Sequence, residues 1–167
     1  MLLMITTVNA LDLSEFPTMF LKEDAAETVI IIGKAASAED VIGTIDIAII
    51  LQQESKNKRL DIARLDSEVA ILSEYNSIII GGPCANSAAA KLLGYPENCM
   101  EGFEVGKGRI ELYEFRNGNI AMLVAGALSR DTRRTTQVLA NYKDYELKGT
   151  KMEITSVSLR ETTIRVR

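Results

Sequence analysis

The stretch that most constrains this chain is residues 76–94, NSIIIGGPCANSAAAKLLG. Residues 77–80 form a short β-branched apolar run, the pattern of a buried strand. Gly81 and Gly82 follow, and glycine alone turns the backbone sharply at little steric cost. Pro83 suits the first turn of a helix, where its missing N–H is no loss. The small residues 85–93 then predict a helix that stops at Gly94. Strand, glycine turn and helix make the repeating unit of an α/β sheet.

Two other segments share this plan. TVIIIGKAASAED at residues 28–40 and AMLVAGALSRDTR at 121–133 each run from apolar strand through glycine and small residues to a capped helix. Three such units predict parallel strands joined by crossovers, with residues 28–32, 77–80 and 120–125 as parallel neighbours or near neighbours in one sheet. Ser37, with Asp40 three residues on, is a capping pair for a helix over 38–53. That helix carries Val41, Ile42, Ile45, Ala48, Ile49 and Leu51 around most of its circumference, which predicts wide burial. Asp46 interrupts it and reads as a half-exposed or hydrogen-bonded carboxylate.

The segments between these units are less regular. Residues 11–26 contain the breaker Pro17, and residues 54–59 (ESKNKR) read as a charged loop. A short strand is expected over 60–65, then a short helix capped by Asp66 or Ser67 and running to Tyr75. In the second half, residues 109–115 and 120–125 flank Asn117-Gly118, the favoured turn of a two-stranded hairpin. Ser129 is placed to cap a helix over 130–142, and residues 151–155 and 162–166 read as two late strands paired with each other. The fold expected is therefore α/β: a mainly parallel sheet of βα units flanked by helices, an antiparallel hairpin at its edge and a small C-terminal β extension. Residues 11–149 would form the α/β domain and 150–167 the extension.

Composition excludes more chemistry than it suggests. At 167 residues the chain is long enough for one domain with a real core, and it is 47% hydrophobic and 25% charged. Its net charge of −4, five Tyr, four Phe and no Trp give no footprint for nucleic acid. Histidine is absent, which removes histidine-dependent triads and dyads and histidine metal ligands together. No run of 18 apolar residues occurs, so no membrane-spanning helix is expected. Residues 1–10, MLLMITTVNA, have two readings: the tail of a signal peptide ending in a small-residue cleavage pattern, or a first strand. The first sends the chain out of the cell; the second leaves it cytoplasmic.

Four residues and two cysteines make up the candidate sites. Gly81, Gly82, Asn86 and Ser87 form a turn that could hold an anion on backbone N–H groups, although no GxGxxG or GxxxxGK[ST] spacing is present. Cys84 sits where a helix dipole lowers a thiol pKa, but a nucleophile needs a base and no histidine exists to serve. The competing reading pairs Cys84 with Cys99 in a disulfide, which the chain-entropy estimate values at roughly 3 kcal/mol for such a loop. That bridge would pin the loop after Gly94 over the Gly81-Gly82 turn, blocking the place where a ligand would most naturally sit, and make the domain a rigid piece. Arg130, Arg133 and Arg134 crowd the start of the third helix and read as surface charges. Glu39-Asp40 and Asp66-Glu68 read as caps rather than calcium ligands, and no metal or cofactor is expected.

GKAASAEDVIGTIDIA, IIIGGPCANSAAAKLLG and LVAGALSRDTRRTTQVLANYKDY, in this order, resemble archaeal S-layer-like proteins of the cell envelope, and DLSEFPTMF resembles the start of their mature part. The resemblance covers residues 11–155. It implies an exported, non-catalytic structural protein that assembles side by side with its own copies or other S-layer subunits in the cell envelope. Members of that family are usually longer, anchored and glycosylated, whereas no Asn-X-Ser/Thr sequon occurs here. A fragment or a reduced relative is therefore expected. The second functional class, a small α/β enzyme or ligand-binding domain, would use the glycine turns at the carboxyl ends of the strands.

Overall fold

The computed structural model describes residues 11–22, 25–26, 28–57, 61–158 and 161–166. The two readings of residues 1–10 lie outside the described residues. In chain order the elements are β1 (Leu21–Lys22), β2 (Ala25–Ala26), β3 (Thr28–Ile32), α1 (Ala38–Glu54), β4 (Ala63–Leu65), β5 (Asn76–Ile80), α2 (Ser87–Leu92), β6 (Lys107–Glu114), β7 (Ile120–Gly126), α3 (Ser129–Ala140), β8 (Lys151–Ser158) and β9 (Glu161–Val166). β1 and β2 form a small separate ladder, and the other strands form one sheet in the order β4-β3-β5-β7-β6-β8-β9.

β3, β5 and β7 are parallel neighbours, as their continuous apolar character predicts. β4 adds a third parallel pairing outside β3, and the remaining pairings, β7-β6, β6-β8 and β8-β9, are antiparallel. Register lines up the core. Ile30, Ile78, Met122 and Leu112 stand in one row across four strands, and Ile80, Val124, Ile110 and Met152 in another. These rows face α1 and α3, where Ile47, Leu51, Val138 and Leu139 complete a fully enclosed cluster. Ile31, Ile79 and Leu123 point the other way, onto Ala88 and Ala89 of α2 and onto Val69 and Leu72. Each Ile or Leu so enclosed contributes about 1.5–3 kcal/mol.

The structure corrects six sequence expectations. The β6-β7 hairpin is not at the edge: β8 pairs with the free side of β6, and β9 takes the outer position. Gly108, Ile110 and Leu112 face inward at every second position of β6, with the residues between them half-buried. The hairpin turn is longer than Asn117-Gly118 alone. Phe115 and Asn119 close it, and Gly118 takes the left-handed conformation with φ 84°.

α2 starts at Ser87 and not at residue 85, because Asn86 is its cap: the Asn86 side chain accepts from the N–H groups of Ala88 and Ala89. α3 begins at Ser129 itself; capping falls to Asp131, whose carboxylate accepts from the Leu128 N–H. Residues 66–74 hold two 3₁₀ turns in place of one helix.

The largest departure concerns α1. Asp40, Gly43, Thr44, Ile47 and Leu51 are buried, but Val41, Ile42, Ile45 and Ile49 are 43–51% exposed. A single sheet and α3 cover only one side of the helix, so a sequence apolar over most of its circumference leaves an apolar face outward. At the α1-α3 contact, a Cβ on Gly43 would stand 2.6 Å from Thr136 Oγ1, so only glycine allows this approach. Arg133 reaches across to Asp46 at 2.7 Å and pairs with the carboxylate that interrupts α1.

Candidate functional site

Order along the sheet reverses beside β3, with β4 on one flank and β5 on the other. α/β sheets bind ligands in the crevice outside the carboxyl ends of their strands at such a point. Here the crevice is a cleft of about 130 Å³, lined by Ser37, Asp40, Gly82, Cys84, Cys99, Phe103 and Thr132 among others. Its walls are the first turns of α1 and α3 and the segment from Gly82 to Ala85.

Local chemistry explains the shape of each wall. The Ser37 hydroxyl accepts from the Asp40 N–H at 3.2 Å, and Asp40 Oδ2 accepts from the Ser37 N–H at 3.1 Å, a reciprocal cap on α1. Asp40 is only 4% exposed, and its Oδ1 is buried without a hydrogen-bond partner. Desolvation pushes its carboxyl above the usual range, opposed by hydrogen bonds from Ser37 and the Thr132 side chain and reinforced by the Glu39 charge. Gly126 lies against the start of α3: its N–H donates to Thr132 Oγ1 at 3.0 Å, and a Cβ there would stand 2.4 Å from the Asp131 Cβ.

Cys84 and Cys99 are joined by a disulfide, with Cα atoms 5.0 Å apart. The chain does turn back after Gly94, which has φ 78°. The bridge lines the cleft without filling it, leaving one wall built of sulfur, Met100 and Phe103. A bridged Cys84 carries no thiol for nucleophilic chemistry.

The turn of Gly81, Gly82, Asn86 and Ser87 is wired internally. Gly81 N–H donates to Val124 O at 3.0 Å, and Asn86 N–H to Gly82 O at 3.0 Å. The Asn86 amide donates to Ile31 O at 3.1 Å and Ile80 O at 2.9 Å, so one side chain ties the ends of β3 and β5 to the start of α2. Ser87 N–H donates to Asp66 Oδ2 at 2.7 Å, and Lys34 N–H to Asp66 Oδ1 at 2.9 Å. Asp66 thus supplies the negative charge that a bound anion would bring to this turn. Burial raises its carboxyl, but the hydrogen bonds from Ser87, Lys34 and Ser67 outweigh that and hold it below the ordinary range. Sequence reasoning placed Asp66 as a helix cap only. Its spacing to Lys34 and Ser87 carries no local signal.

A second cleft, of about 440 Å³, opens over the α2-side face of β6 and β8. Lys107 pairs there with Glu104 at 2.8 Å and Glu153 at 3.5 Å, and Lys151 with Glu111 at 3.0 Å. The Arg109 guanidinium stands 4.2 Å from the centre of the Phe103 ring. Opposite charges alternate across this surface, so it selects no ligand by sign.

Arg134 pairs with Asp131 at 3.2 Å, so two of the three arginines crowding α3 are engaged in ion pairs within the protein. Glu68 accepts from the Leu65 N–H at 2.7 Å, a local cap. Among the described residues no three His, Cys, Asp or Glu side chains gather as a metal site, and no helix is long and apolar enough to cross a membrane. Compared with protein-family models and with curated proteins, the chain matches none at a significant level.

Proposed function

We propose that this chain is a non-catalytic structural protein of the cell envelope, exported and acting through surface self-association, as its resemblance to archaeal S-layer-like proteins implies. The observation that carries the proposal is the Cys84–Cys99 disulfide beside the Gly82 turn. Disulfides persist in oxidising compartments and are rare in reducing cytosol. This one also fastens residues 84–99 onto the sheet end, at the place where an α/β enzyme keeps its mobile loops. The internal wiring of Asn86 and Asp66 stiffens the same end from the other side.

The test is mass spectrometry of unreduced, alkylated protein taken from its native compartment. A single peptide pair linked through Cys84 and Cys99 is expected; two alkylated thiols would sink the proposal. Electron microscopy of concentrated protein should then reveal ordered sheets or filaments and not dispersed particles alone.

One observation favours a second reading, a ligand-binding domain. Asp40 lines the switch-point cleft, and its Oδ1 atom is buried without a hydrogen-bond partner, which a small donor or cationic group reaching it would satisfy. Difference spectroscopy of Asp40→Asn against the parent protein, with small amines as probes, separates the two readings. Saturable binding that vanishes in the variant favours the second.

A further inference from the structure

The outward face of α1 is the least expected surface of the molecule, and we infer that it is a two-fold interface between two copies of this chain. This narrows the self-association proposed above to one face and rests on that reading. Val41, Ile42, Ile45 and Ile49 are 43%, 47%, 51% and 48% exposed, on a helix whose other side is packed on the sheet and α3. Together they present roughly 300 Å² of apolar surface, comparable to the largest patch on a typical monomer, which is often functional. Scattered apolar residues need no such account, but these four fall on one stripe at helical spacing.

The stripe is self-complementary. Val41 and Ile49 lie four residues either side of Ile45, so a second copy packed antiparallel with Ile45 on the two-fold axis sets Val41 against Ile49, Ile45 against Ile45 and Ile42 against Ala48. An isologous contact demands this pattern, in which one patch meets itself reversed.

Charge selects the same orientation. The stripe ends in Glu39 at its start and in Gln52 and Gln53 at its end. Antiparallel packing sets Glu39 against the glutamines and opposes the helix dipoles, whereas parallel packing would set Glu39 against Glu39. The apolar stripe is less than half of the about 800 Å² per partner typical of a stable dimer. A weak, concentration-dependent pair follows, of the kind that repeated contacts in an assembly strengthen.

Sedimentation equilibrium of the full chain across micromolar concentrations tests the inference, alongside Ile45→Asp and Ile45→Cys. The parent is expected to dimerise. Ile45→Asp, on an exposed position, should melt like the parent but associate at least about thirtyfold more weakly, because each dimer would bury two unpaired carboxylates. Both native cysteines are bridged, so Ile45→Cys carries one free thiol. On the axis it should cross-link to itself under mild oxidation, whereas Ile71→Cys, equally exposed at 50%, should not.

A monomeric parent with no cross-link at residue 45 overturns the inference. So does association that Ile45→Asp leaves unchanged, which would move the contact elsewhere. Binding of a monomeric parent to phosphatidylcholine–phosphatidylglycerol vesicles, abolished by Ile45→Asp, also overturns it in favour of a lipid surface. None of these outcomes touches the cystine, whose mass spectrum tests the envelope reading separately.

Discussion

Asp66→Ala is the perturbation that most directly probes the wiring of the sheet end. The Asp66 carboxylate is 9% exposed and accepts from Lys34 N–H at 2.9 Å and Ser87 N–H at 2.7 Å, joining the β3-α1 turn to the start of α2. Alanine leaves both donors without their acceptor. A hydrogen bond to a charged group is worth about 1.5–3 kcal/mol, and water entering the vacated space recovers part of it. A net loss of about 3 kcal/mol follows, which for a chain of this size lowers Tm by about 6–12 °C.

The pH dependence carries a second signature. Asp66 has its folded-state carboxyl below the ordinary value, so its stabilisation is present above about pH 4 and is lost as pH falls through the depressed value. The gap in Tm between parent and variant should be constant from pH 5 to pH 7 and should shrink below about pH 4. Differential scanning calorimetry across that range measures both effects. A variant melting within about 1 °C of the parent at neutral pH, or a gap that persists undiminished at pH 2, would refute the role assigned to Asp66.

Three further perturbations bear on neighbouring features. Asp40 has its folded-state carboxyl raised by burial, so its contribution is full below about pH 4 and falls as pH rises through the raised value. Asp40→Asn should therefore gain stability relative to the parent between pH 4 and pH 7, and a flat difference in Tm would contradict this. Replacing both Cys84 and Cys99 with Ser reopens a loop of sequence separation 15 and should cost about 3 kcal/mol, read as a lower urea midpoint with a larger m-value. Gly126→Ala drives a Cβ to 2.4 Å from the Asp131 Cβ and 2.6 Å from backbone, and should cost at least about 2 kcal/mol by displacing α3 from β7; chemical denaturation unchanged from the parent would show that the helix yields freely.

Much of the fold is legible along the chain. β3, β5 and β7 are continuous runs of β-branched and apolar residues, and that pattern suits only strands covered on both faces. Ser37 and Asp40 announce the start of α1 because capping acts within four residues. The Cys84–Cys99 pairing is legible because the chain offers no other cysteine and because Gly94 permits the reversal.

Other features were settled only when distant segments met. Asn86 and Asp66 are ordinary turn residues in sequence, yet their partners lie 55 and 32 residues away, at Ile31 and Lys34. β6 looks like the outer strand of a hairpin until β8 pairs with its free side. α1 reads as largely buried because apolar periodicity reports what a helix offers, whereas burial depends on how many neighbours arrive. The sheet and α3 cover one side, and Val41, Ile42, Ile45 and Ile49 are left facing outward. Local hydrogen bonding and hydrophobic pattern act over a few residues and were written into the chain. Edge position, cleft and exposed face depend on which elements pack together, and tertiary structure alone decided them.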